Sequence, residues 1–275
     1  MKKNWAYILL VPGAVLLITF LFIPLLSVIL PTFTKNGSIS FGQYIDYFRD
    51  DYFIKILIRT LRVSIIASLI CMILGVPTAY FISRVSKKTR GLLMVLATFP
   101  TLTNAVVRAF AWMSILGKNG VINKALIYFG FIKEPLEILY TEQAIIIGTV
   151  YLFLPMMIIS LVGVMENINP ELVQAAESLG ANKIKAFFKV VFPLSLPGLI
   201  VGTVLVFTGA LTAYTTPQLL GGNKNTVLVT LIYQKTMTLG DWSGAAVVAT
   251  IMIFITLIVM KSINSLAARL DRRVS

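Results

Sequence analysis

Arg108 is the one basic residue well inside an apolar run, in the stretch Thr101-Leu102-Thr103-Asn104-Ala105-Val106-Val107-Arg108-Ala109-Phe110-Ala111-Trp112. A charge at that depth is costly in hydrocarbon and marks a functional position by default. Two readings of it stand side by side. It belongs to a pathway or gate, or it snorkels outward or caps helix carbonyls. Just before it, Phe99-Pro100-Thr101-Leu102-Thr103-Asn104 places a helix breaker and several hydrogen-bonding side chains at the same depth. Such breaks survive where a helix faces protein or a watery cavity. The neutral groups able to line a pathway are Thr103, Asn104, Trp112, Tyr151, Tyr214 and Thr215, although each aromatic serves equally as an interfacial anchor or packing group. There is no histidine, and no Asp or Glu lies in the middle of an apolar run. Ser–His dyads, His-ligated metals, proton relays and the buried carboxylate of an ion-coupled carrier are therefore missing. No metal site is expected. The single cysteine, Cys71, sits in an apolar run and reads as a packing residue.

The elements that must position these groups are membrane-length. The chain is 57% hydrophobic over 275 residues, which places it among polytopic membrane proteins. Six apolar runs of about 20 residues are expected to cross, at about 5–30, 61–82, 92–116, 142–165, 194–216 and 244–263, in one transmembrane domain spanning 1–275. The first run is too long for a signal sequence and lacks a small-x-small cleavage site, so it reads as an uncleaved span. Residues 31–58, 117–140 (with a short helix) and 217–243 fall on one side, the last with a turn at Gly221-Gly222-Asn223. The other side carries both termini and residues 84–90 and 166–193. It holds 13 basic and four acidic residues, against ten and seven on the first side. A Lys/Arg excess on short loops predicts that this side is cytoplasmic. The net charge of +13 is thus a topology signal plus attraction to anionic headgroups, and nucleic acid is not needed to explain it.

The longest polar segment between two spans is Asn169–Gly198. Asn169 is a good N-cap, Pro170 suits the first helical position, and Glu171 suits the positive end of the helix dipole. Ala175 and Ala176 keep the helix smooth, and Gly180 is the expected terminator, with positive φ. Asn182 caps a second short helix carrying Lys183, Lys185 and Lys189, which is expected to run to about Val190 before Pro193 breaks it. A helix, a tight turn and a second helix make a docking knob.

Gln174-Ala175-Ala176, three residues, Gly180-Ala181, then Phe188, Pro193-Leu194 and Pro197-Gly198 resembles the "E-A-A, three residues, G" cytoplasmic loop of binding-protein-dependent ABC importer permeases. One position departs: the family's leading Glu is Gln174 here, and Glu177, on the same helical face, can substitute. Thr101–Trp112 and Pro217-Gln218-Leu219-Leu220-Gly221-Gly222 are similar to stretches of spermidine/putrescine-type permeases. The resemblance implies an all-α membrane protein with the type I ABC importer permease fold and a coupling helix built from Gln174, Ala175, Ala176, Glu177, Gly180 and Ala181. It also implies two ATP-binding subunits holding ATP and Mg, a second permease subunit (a paralogue or a copy) and an extracytoplasmic solute-binding protein. The chain itself has no G-x-x-x-x-G-K-[ST] phosphate loop, so it is not expected to be an enzyme or to bind a cofactor. Polyamine import is the expected function. Aminoethylphosphonate import by a related permease and an ion-coupled carrier or channel are the alternatives.

Overall fold

The computed structural model describes residues 11–35 and 38–271. Lys2, Lys3, Arg272, Arg273 and the start of the first expected span lie outside them. The main helices among the described residues are α1 (Val11–Phe33), α2 (Gly42–Arg49), α3 (Asp51–Arg84), α4 (Lys87–Leu102), α5 (Ala105–Leu116), α6 (Val121–Tyr128), α7 (Glu142–Met165), α8 (Pro170–Ser178), α9 (Lys183–Thr212), α10 (Leu228–Tyr233) and α11 (Trp242–Asp271). The only strands among the described residues, Thr34–Lys35 and Ser38–Ile39, pair as a two-stranded antiparallel ribbon. Helices α1, α3, α7, α9 and α11 are long and apolar enough to cross a bilayer. Taken together, α4 and the segment Ala105–Tyr128 are also long and apolar enough, but they meet at a 94° bend.

Two compact units emerge. One comprises residues up to Lys55 together with Leu231–Phe254, the other Ile56–Thr230 with Ile255 onward. In the first, Phe33 stacks on Tyr44 at 5.1 Å and meets Phe41 edge-on at 5.7 Å, while Thr32 Oγ1 bonds the Tyr44 hydroxyl. Lys235 Nζ donates to Asp241 Oδ2 at 2.9 Å and lies 5.2 Å from the Tyr47 ring centre. Asp241 Oδ1 accepts from Gly244 N and so caps α11, and this N–H, followed by the Lys235 ammonium, holds the carboxyl below its ordinary range.

The second unit is built on α7 and α9. Helix α7 is apolar on every side, with half of it buried against protein and the rest, including Met156 and Ile159, open, and its buried residues run from Ala144 to Met165. Antiparallel α9 meets it along a glycine seam. A Cβ on Gly198 would lie 2.7 Å from Ser160 O, one on Gly202 2.6 Å from Met157 Sδ, and one on Gly209 would run into the Phe153 ring. Without a hydrophobic drive between helices in lipid, close backbone approach over small residues holds a pair together. Ser160 Oγ adds a bond to Gly198 O at 3.0 Å. Gly75 of α3 lets Met157 approach in the same way, and Cys71 packs fully buried beside Val150. The N-terminal end of α7 is pinned by charge: Arg59 Nε and Arg62 Nη1 both donate to Glu142, at 3.0 and 3.3 Å, and Arg59 Nη1 also reaches Thr226 O.

Several expected boundaries are corrected. The second span is 34 residues long and starts at Asp51, because Arg59 and Arg62 find a carboxylate and remain helical where hydropathy alone would stop. Pro193 does not break the chain. Residues Phe187–Val191 form a π-turn, with Phe192 N bonded to Phe187 O, and the helix continues to Thr212. A proline, which has no N–H to place, is accommodated where the hydrogen-bond ladder changes step. The fifth span therefore begins at Lys183 and ends before 216, at an irregular Ala213-Tyr214 link. The third span is not one rod but two helices, and 217–243 contains α10 besides the expected turn.

Candidate functional site

The loop between α7 and α9 takes its shape from its caps. Asn169 Oδ1 accepts from Glu171 N at 2.9 Å, and Pro170 occupies the first helical turn of α8. At the other end, Gly180 N donates to Glu177 O (2.9 Å) and Ala181 N to Ala176 O (3.0 Å). This is the paired closure that requires a left-handed residue after the helix, and Gly180 has φ +85°. Asn182 Oδ1 then accepts from Lys185 N at 2.8 Å and starts α9. Gln174, Ala175, Glu177 and Gly180 are exposed, while Ala176 and Ala181 are half-buried. Around them stand large apolar side chains: Phe188, already part of the sequence motif, is 60% exposed, and Leu172, Leu179 and Ile184, which sequence reasoning did not single out, are 47, 89 and 70% exposed. Their signal was present as apolar residues scattered through an otherwise polar loop. A protruding turn of this kind, with open apolar side chains around small residues, is shaped for a partner surface.

The second cluster is the break between α4 and α5. Asn104 Oδ1 caps α5, accepting from Val106 N (2.9 Å) and Val107 N (3.3 Å). Arg108 turns back across the break: its Nη1 donates to Pro100 O (2.8 Å), Thr103 O (3.1 Å) and Thr103 Oγ1 (3.2 Å). The last carbonyls of a helix lack intrahelical donors and carry the negative end of its dipole, so a guanidinium there satisfies both needs. Of the two readings of Arg108, the capping one describes its contacts.

Thr103, Asn104 and Arg108 thus form one assembly. Trp112 and Tyr151 form another, with rings edge-to-face at 5.3 Å. Tyr214 lies in the link after α9, where its carbonyl accepts from Gln218 N, and Thr215 follows it, half-buried. The sequence reading did not anticipate the pin between two further loops. Tyr140 has φ +62°, donates its N–H to Leu220 O, and accepts from Asn225 Nδ2 at 2.7 Å. Gly222, at φ +61°, lies against the Tyr140 ring so closely that a Cβ would come within 2.9 Å. The two loops frame a cavity of about 690 Å³ whose charged lining is Lys118, Glu137 and Lys224.

Comparison with known proteins agrees with this geometry. Residues 71–275 match the family described as "Binding-protein-dependent transport system inner membrane component". The spermidine/putrescine transport system permease protein PotB of Haemophilus influenzae is 35% identical over 263 residues, covering 92% of both chains. That of Escherichia coli is 33% identical over 251 residues, covering 89% of this chain and 91% of the relative. Among solved structures, a bacterial alginate ABC transporter, crystallised with a periplasmic protein carrying an alginate pentasaccharide, superposes with a TM-score of 0.80 over 98% of this chain and 96% of its own, at 20% identity.

Proposed function

Because the chain belongs to the binding-protein-dependent transport system inner membrane components, we propose that it is the membrane-spanning subunit of an ATP-driven importer of spermidine or putrescine. The observation that carries the transport role is the capped, outward-standing α8 turn between the two most closely packed spans. The polyamine assignment is supported by the two relatives at 33 and 35% identity. In this reading the chain binds no nucleotide. Two ATP-binding subunits with ATP and Mg, a second permease and a solute-binding protein complete the machine. Gln174, Ala175, Ala176, Glu177, Gly180 and Ala181, with Leu172, Leu179, Ile184 and Phe188 around them, meet the ATP-binding subunit. Nucleotide closure displaces α8, and the spans alternate between inward- and outward-open. For a near-complete switch the nucleotide must favour one state by about 5.5 kcal/mol.

Cells carrying the whole system should accumulate labelled spermidine or putrescine in an ATP-dependent manner. Robust uptake of aminoethylphosphonate with no polyamine uptake would remove the cargo assignment and leave the importer role. Orientation has its own measurement. With α8 cytoplasmic and the Gly222 turn external, Asn223→Cys in a Cys71→Ser background should react with an impermeant thiol reagent on intact cells. Ser178→Cys, equally exposed, should stay unlabelled until the membrane is opened. Labelling of Ser178→Cys on intact cells reverses the assignment.

A further inference from the structure

The corner between α3 and α4 holds both arms of the α8 loop. On the incoming arm, Arg90 Nη1 donates to Glu166 Oε2 and Arg84 Nη1 donates to Ile168 O at 3.3 Å. Arg90 Nη2 also bonds Ser83 O and Val85 O, at 2.9 and 3.4 Å, so the guanidinium that grips Glu166 is itself fixed to the end of α3. On the outgoing arm, the Tyr80 ring meets Phe187 edge-on at 5.0 Å, and the Arg84 guanidinium lies 5.4 Å from the centre of the same Tyr80 ring. Phe187 begins the π-turn of α9. One short stretch, Tyr80 to Arg90, therefore touches the chain just before α8 and just after it. The α8 turn, by contrast, projects with its side chains largely open.

We propose that Tyr80, Arg84 and Arg90 are positioning residues that carry displacement of the α8 turn into the membrane spans, with the Arg90–Glu166 ion pair as the principal link. The inference rests on the reading of α8 as the contact with an ATP-binding subunit. A projecting turn joined to its spans only through flexible backbone could move without moving them. Tying both arms to one corner makes the turn and the ends of α3, α4, α7 and α9 a single mechanical body. Coupling of this sort needs an element with two discrete arrangements that both ends bias.

The test is a charge exchange in the intact importer, purified with its ATP-binding subunits and reconstituted with the solute-binding protein. Arg90→Glu and Glu166→Arg should each lower the binding-protein stimulation of ATP hydrolysis about tenfold, the scale of a typical coupling between sites. Basal hydrolysis and co-purification of the ATP-binding subunits should be unchanged. The double variant, Arg90→Glu with Glu166→Arg, restores the ion pair in reverse and should recover at least half of the stimulation. A merely structural role would not show this rescue at constant abundance. Normal stimulation in both single variants, or a double variant as uncoupled as the singles at wild-type membrane levels, overturns the proposal. If the wild-type permease retains no ATP-binding subunit and shows no stimulation, the importer reading falls and this inference with it. Stimulation in the wild type that is insensitive to all three variants removes this inference alone.

Discussion

Gly180→Val should abolish transport while leaving the protein in the membrane at normal abundance. The residue sits at φ +85°, and a Cβ built there meets nothing within 4 Å, so the expected loss is conformational and not steric. For an L-residue the left-handed region costs about 1–2 kcal/mol, and a β-branched side chain raises that further. The two bonds that close α8, from Gly180 N and Ala181 N, both depend on this backbone geometry. At about 1.4 kcal/mol per factor of ten, the native turn should be depopulated by at least about tenfold. Because the turn is exposed and far from the α7–α9 seam, folding should survive. Gly180→Asn provides the contrast, since asparagine tolerates positive φ, and should retain most of the uptake. Normal uptake by the valine variant would mean that the turn's shape is irrelevant to transport.

Arg108→Met should have the second large effect, by a different route. Methionine keeps an unbranched apolar stem in place of the arginine's and removes the three donations to Pro100 O, Thr103 O and Thr103 Oγ1. Hydrogen bonds involving a charged partner contribute about 1.5–3 kcal/mol, and carbonyls stripped of their donor at a broken helix lose that much or more. The bend between α4 and α5 should loosen. Spermidine uptake should fall by about an order of magnitude or more on that scale, with basal ATP hydrolysis raised. Uptake kinetics beside an ATPase assay measure both. Arg108→Lys should be intermediate, since one ammonium does not reproduce the planar fork. An unchanged uptake rate in Arg108→Met would show that the break is held by Asn104 alone.

What was legible in the sequence follows from where the physics is local. The bounds of α7 at Glu142 and Met165 were readable because Thr141 caps one end and the apolar run stops at Glu166. The α8 turn was readable because Asn169, Pro170, Gly180 and Asn182 each act within three or four residues of themselves. Positive φ at Gly180 was foreseen for the same reason. Other features depend on partners far along the chain. Arg59 and Arg62 lengthen α3 only because Glu142, some 80 residues on, accepts from them. The left-handed backbone of Tyr140 needs Leu220 and Asn225, and no local rule assigns it to a tyrosine. Proline is conventionally a stop signal, so Pro193 misled. Whether it ends a helix depends on whether the ladder before it has already changed step. The small residues of the seam were visible, but which helix each glycine faces was not.

The π-turn at Phe187–Val191 has a consequence for direction. It amounts to one supernumerary residue threaded into an otherwise regular helix, between the spanning part of α9 and the segment Lys183–Ala186 that leaves the α8 turn. Phe192 N closes on Phe187 O, so five residues share one widened turn and the helix on either side stays nearly in phase. Were the same residue carried in a ladder kept at 3.6 residues per turn, everything before it would be rotated by about 100° about the helix axis. Ile184 would then point into a different quadrant, although its sequence and its cap were untouched. The compass bearing of the exposed apolar face is thus held by the width of one turn and not by any side chain.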